Sequence, residues 1–71
     1  MDVRKTVGAN IRRCRMDAGV SQEELAARMG VDQGYVSKLE AGQRNPTITT
    51  VANAAKALGI EIDRLFSLKP V

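Results

Sequence analysis

Residues 21–42 read SQEELAARMGVDQGYVSKLEAG, and this stretch decides the fold. Ser21 followed three residues later by Glu24 is a capping box: the hydroxyl accepts from the Glu24 amide, and the Glu24 carboxylate reaches back to the Ser21 amide. A helix therefore starts at Gln22. Leu25, Ala26 and Met29 fall on one face of it, and Gly30 ends it. Only Gly30, Val31 and Asp32 separate this helix from the next, which Asp32 is suited to cap. The next helix runs to about Ala41, with Val36 and Leu39 inward and Gly42 as its stop. Two helices joined by so short a turn cross at a steep angle, which is the geometry of a helix-turn-helix.

The flanking sequence supplies the rest of a helical domain. Upstream, Val3, Val7, Ile11, Cys14 and Ala18 recur at spacings of four, four, three and four, a single helical stripe. Asp2 caps its start, and Gly19-Val20 reads as a Schellman stop. Downstream, Gln43-Arg44-Asn45-Pro46 is a polar loop. Thr47 then caps a fourth helix, with Ile48, Val51, Ala52, Ala55 and Leu58 inside and Gly59 as its stop. A short fifth helix is expected over 62–68. The expectation is an all-α, compact five-helix domain occupying 1–71.

Composition narrows the function classes. A chain of 71 residues is enough for one domain, and domains this small, which bury only about 60% of their unfolded surface, often gain stability from a partner subunit. Its apolar share of 44% argues for a core and against disorder. With one Tyr, one Phe and no Trp, that share is mostly Ala, Val, Ile and Leu, which suits short packed helices. The net charge of +3 fits a polyanionic partner and equally fits ordinary solubility. With no His and one Cys, neither a metal site nor an intrachain disulfide is expected, and no cofactor. The lone thiol suits a reducing compartment. No apolar run approaches the roughly 18 residues of a membrane span, and the first residues lack a signal-peptide core. A cytoplasmic protein is expected. An enzyme is not: a helical bundle this small, without His or metal ligands, has little room for a catalytic cleft.

The ordered set SQEELA, Gly30, YVSKLEAG, RNPT (44–47) and ALGI (57–60), with IRRCR (11–15) and Gly19-Val20 before it, resembles the phage repressor/Cro class of helix-turn-helix proteins, the XRE family. The resemblance spans nearly the whole chain and lies in the set rather than in any one motif. It implies a lambda-repressor-like bundle, with Gln22–Met29 as the positioning helix and 33–41 as the recognition helix. The function it implies is a sequence-specific double-stranded DNA-binding transcription regulator, a repressor or autoregulator. Such a protein is expected to act as a homodimer on a palindromic operator, associated with the nucleoid and without a small-molecule effector.

An α-helix fits the major groove, where each base pair shows its own pattern of donors and acceptors. Side chains near the N-terminus of the recognition helix do the reading. Gln33, Ser37 and Lys38 are the base-reading candidates. The Gln33 amide suits adenine, and the Lys38 ammonium suits guanine O6 and N7. For Lys38 a phosphate contact or plain solvation is the competing reading. Gly34 brings no side chain to this face; it either permits close approach or is silent. Gln22, Tyr35, Arg44, Asn45 and Thr47 are the phosphate-contact candidates. The resemblance also implies that Gln22 pairs with Gln33. A solvated helix end is the plain alternative for Gln22, and a solvated loop is the alternative for Arg44. Arg4 and Lys5 add to the electrostatic footprint, whereas Arg12 and Arg13 read as a solvated face.

Arg15 and Glu40 read differently. Glu40 lies about 40° from Val36 and about 100° from Leu39 on the helical wheel, at the edge of the inner face. A half-buried carboxylate there needs a cation. The resemblance pairs it with Arg15, giving a structural ion pair rather than a DNA contact. Cys14 sits on the inner stripe and reads as a small core residue before a redox sensor.

Ile62, Leu65, Phe66 and Leu68 form the expected dimer interface. A symmetric pair then reads two half-sites about 34 Å apart, one DNA turn. The alternative is a protein-binding module, an antitoxin or a similar component of a toxin–antitoxin or restriction–modification operon, with a protein partner on that apolar surface.

Overall fold

The computed structural model describes residues 2–68. The expectation of one domain over 1–71 runs past them, and residues 1 and 69–71 lie outside the described part. Four α-helices follow in order: α1 (Val3–Asp17), α2 (Gln22–Met29), α3 (Gln33–Glu40) and α4 (Ile48–Leu58). A 3-10 helix, Ile62–Phe66, closes the chain, and the described residues contain no strand. The expected five-helix count is thus corrected to four α-helices and one 3-10 helix. The last segment is five residues long, too short to gain much from α-helical propagation.

Local chemistry sets the helix ends. Asp2 accepts from the Arg4 amide, Ser21 from the Glu24 amide and Thr47 from the Thr50 amide, each through its side chain. Only half of the expected capping box forms. The Glu24 carboxylate takes the Arg28 guanidinium at 3.1 Å, one helical turn on. Asp32 occupies the cap position of α3 without a side-chain cap bond. Between α2 and α3, Gly30 stands at φ 73°, a left-handed conformation that glycine enters without a Cβ penalty. Its amide bonds back into α2, and α3 begins three residues later.

The core collects Val7, Ile11 and Cys14 of α1, Leu25, Ala26 and Met29 of α2, Val36 and Leu39 of α3, and Val51, Ala54, Ala55 and Leu58 of α4, together with Val20 and Leu65. On α4 the buried set differs from expectation. Ile48 and Ala52 are exposed and Ala54 is fully buried. The true stripe is Val51, Ala54, Ala55 and Leu58, at spacings of three, one and three, and Ala52 lies about 100° round the wheel from Val51. Leu65 is corrected too: it is 0% exposed and belongs to the core, so it is not part of an open dimer face.

Two close approaches hold α1 in place. Gly8, mid-helix in α1, lies against the end of α3. A Cβ there would sit 2.3 Å from the Leu39 carbonyl oxygen and 2.9 Å from that of Glu40, so only a glycine lets the two backbones pass. Asn10, 5% exposed, donates through Nδ2 to the carbonyls of Leu65 (3.0 Å) and Ser67 (2.8 Å), tying the 3-10 helix to α1.

Candidate nucleic-acid interface

α3 turns one face to the core through Val36 and Leu39 and the other to solvent. Gln33, Gly34, Ser37 and Lys38 are all exposed on that outer face. Among the described residues, the side chains of Gln33, Ser37 and Lys38 make no hydrogen bond or ion pair within the chain. Free donors and acceptors on a helix face of this kind are what base edges require.

Gln22, the first residue of α2, is partly buried. Its Nε2 donates to Glu40 Oε1 at 3.1 Å, where the resemblance had implied a partner in Gln33. The nearby carboxylate is the stronger acceptor, since hydrogen bonds to ionised groups outweigh those to amides. Glu40 is also held by Arg15, with Nε to Oε2 at 2.6 Å and Nη2 to Oε1 at 3.1 Å. The third nitrogen of that guanidinium donates to the Val20 carbonyl at 2.8 Å. The two side chains are 12% and 3% exposed. Bonding to Glu40, the largest effect on Arg15, pushes its pKa further up and outweighs the opposing cost of burial. Arg15 thus stays charged and ties α1 to the end of α3.

Beyond α3, the Arg44 guanidinium lies 4.7 Å from the centroid of the Tyr35 ring. This is a cation–π arrangement, and it gives the exposed loop arginine a resting place. The Tyr35 hydroxyl bonds Thr50 Oγ1 at 3.2 Å, and Thr50 Oγ1 in turn accepts from Thr47 at 3.0 Å. Asn45 and Thr47 are exposed on the same loop, with the Thr47 side chain also serving as the α4 cap. The structure thus joins Tyr35 and Thr47 to Thr50, sets Arg44 on the Tyr35 ring, and gathers Gln22 with Arg15 and Glu40.

Thr50 was not singled out in the sequence, although a Thr three residues after a Thr cap is placed to join it. Asn10 also went unread, though it lies three residues after Val7 and four before Cys14, on the apolar stripe itself.

Residues 11–65 match the HTH_3 helix-turn-helix family model. The chain belongs to that family. This HTH_3 chain is 52% identical over 60 residues to an uncharacterised HTH-type transcriptional regulator of Sinorhizobium fredii, covering 84% of this chain and 78% of that one. Among solved structures it resembles the restriction-modification controller protein C.AhdI of Aeromonas hydrophila, with a TM-score of 0.83 and 40% identity over 87% of this chain and 94% of that one. It also resembles the clp gene regulator ClgR of C. glutamicum, with a TM-score of 0.87 and 31% identity over 94% and 96% of the two chains. As an HTH_3 protein it is a DNA-binding transcription regulator. No helix among the described residues is long and apolar enough to cross a membrane.

Proposed function

We propose that this regulator binds a palindromic operator as a homodimer, each copy laying α3 in the major groove. The carrying observation is the outer face of α3, where Gln33, Ser37 and Lys38 stand exposed and uncommitted beside Gln22 and Arg44. Gln33 and Lys38 read base edges. Ser37 is short and reaches a base only where the helix comes close, which the bare Gly34 position permits. Gln22, Arg44, Asn45 and Thr47 contact the sugar-phosphate strands and fix the register.

Tyr35 joins that second group through its hydrogen bonds. Thr50 accepts from Thr47, and in the Tyr35–Thr50 bond either hydroxyl can donate; with Thr50 as the donor, the Tyr35 proton is left for a phosphate oxygen. Dimerisation falls to Ile62, Phe66 and Leu68, which are 36%, 39% and 69% exposed and apolar. Small domains that expose adjacent apolar side chains generally cover them with a partner. A protein-binding antitoxin role is not favoured, because the matched relatives are transcription regulators. Repression or autoregulation follows from where the operator lies relative to the promoter.

The test is selection from a random duplex library, then titration of the best site against a scrambled duplex at physiological salt. A palindromic site bound at least about a thousandfold tighter is expected. Equal affinity for the two duplexes overturns the proposal.

A further inference from the structure

Arg12 and Arg13 look alike as a solvated pair on the outer face of α1, but the structure separates them. Arg13 is turned to its own helix, with Nη1 donating to Asn10 Oδ1 at 3.2 Å. Arg12 is exposed and has no side-chain partner among the described residues. It borders a shallow cleft that it shares with Gln22, Ser37, Glu40 and Ala41. That cleft joins α1 to the start of α2 and to the outer face of α3, so Arg12 stands beside two groups already assigned to DNA.

The charges in the cleft are unevenly matched. Both oxygens of Glu40 are occupied: Oε2 by Arg15, and Oε1 by Arg15 and Gln22. Arg15 offsets the carboxylate in place, and Arg12 is left as the unbalanced charge. The Ser37 hydroxyl, which lines the same cleft, adds a second free donor. A cation and a hydroxyl lining one solvent-open cleft, next to the helix face proposed to enter a groove, suit a phosphodiester oxygen pair. A guanidinium engages such a pair through two parallel N–H bonds.

We infer that Arg12 is a further DNA-backbone contact, receiving through this cleft the phosphate strand that flanks the groove occupied by α3. The inference rests on the DNA-binding mode proposed above and adds to it an α1 residue outside the helix-turn-helix. Arg12 also borders a second cleft, with Asp17 on its wall. A side chain committed to Asp17 instead would leave DNA binding independent of Arg12.

The experiment measures affinity for the selected operator and for a scrambled duplex over a range of salt concentrations. It compares wild type, Arg12→Gln, Arg12→Lys and the control Lys56→Gln, an exposed α4 cation. Each phosphate contact contributes about 0.9 to the slope of log affinity against log salt. Arg12→Gln is expected to flatten the slope by roughly 1.8 for a dimer, two such contacts, and to weaken both duplexes by the same factor. Arg12→Lys keeps the slope, and Lys56→Gln leaves it near wild type. All variants keep the wild-type thermal midpoint. An Arg12→Gln slope equal to that of wild type or to that of Lys56→Gln overturns the inference. Failure of the parent reading shows separately, as equal binding of both duplexes by the wild type. A flattened Arg12→Gln slope in that case still establishes the backbone contact.

Discussion

Arg15 and Glu40 form a two-point ion pair, at 2.6 and 3.1 Å, that fastens α1 to the last residue of α3. Both side chains are committed to this pair, which supports the α3 face proposed to enter DNA. Glu40 is 3% exposed at its side chain, so removing its partner strands a buried charge. Arg15→Ala and Glu40→Ala are each expected to cost about 3–5 kcal/mol, the range for breaking buried pairs. The double variant should cost less than the sum of the two. Urea unfolding of all three proteins measures this; strict additivity contradicts a coupled pair. Loss of operator binding in the single variants should follow the fraction unfolded.

The opposite roles of Gly8 and Gly34 give a paired prediction. A Cβ at Gly8 meets two backbone oxygens that cannot turn aside, whereas at Gly34 it meets nothing within 4 Å. Gly8→Ala should lower the thermal midpoint by several degrees. Gly34→Ala should raise stability by up to about 1 kcal/mol, the difference in helix propensity. Thermal unfolding of both variants decides the matter, and a destabilised Gly34→Ala would show that something on the α3 surface excludes a methyl group.

These elements differ in how far the sequence revealed them. The caps at Asp2, Ser21 and Thr47 and the stop at Gly30 were legible because each acts within four residues of itself. The inner face of α4 was harder. Ala52 and Ala54 are the same residue type, and only the direction of the neighbouring helices chooses between them. Leu65 misled for a related reason: a Leu among Ile62, Phe66 and Leu68 shows no mark of being the one turned inward. The exposed α3 side chains were legible through the helical wheel and the family resemblance together. The bond from Gln22 to Glu40 was not, because it depends on where α3 ends in space.

Asn10 gives a prediction about the chain's last described segment. Its amide holds the Leu65 and Ser67 carbonyls while its oxygen accepts from Arg13. Asn10→Ala should cost about 1–3 kcal/mol, the cost of leaving a buried polar group without its partner. It should also loosen the 3-10 helix that carries Ile62 and Phe66, lowering the dimer fraction of the proposed homodimer. Chemical denaturation and light scattering at matched concentration test both parts. A stable variant with unchanged mass would assign Asn10 no structural role.

Asp2 provides a pH-dependent case. The side-chain hydrogen bond from Arg4 is the main cause holding its carboxyl below the ordinary range. A depressed folded-state pKa adds stability above the unfolded value, about 3.9, and that stability is lost as pH falls through the folded value. Asn also caps helices well but carries no charge. Wild type should therefore exceed Asp2→Asn in thermal midpoint at neutral pH by a small margin that closes in acid. A margin independent of pH would mean that the charge contributes nothing.

The base and backbone roles separate in one set of titrations. Lys38 stands free on the outer face of α3, whereas Arg44 rests on the Tyr35 ring in the following loop. If Lys38 donates to a guanine, Lys38→Ala should lose roughly 1–3 kcal/mol on the operator and far less on a scrambled duplex. Arg44→Ala should weaken both duplexes alike and flatten the salt dependence. Tyr35→Ala should resemble Arg44→Ala, because without the ring the guanidinium loses its resting place. Tyr35→Phe keeps that ring and removes only the hydroxyl, so its loss should be smaller and confined to one backbone contact. Equal losses on both duplexes for Lys38→Ala would move Lys38 from the bases to the phosphates, leaving Gln33 as the main reader of sequence on α3.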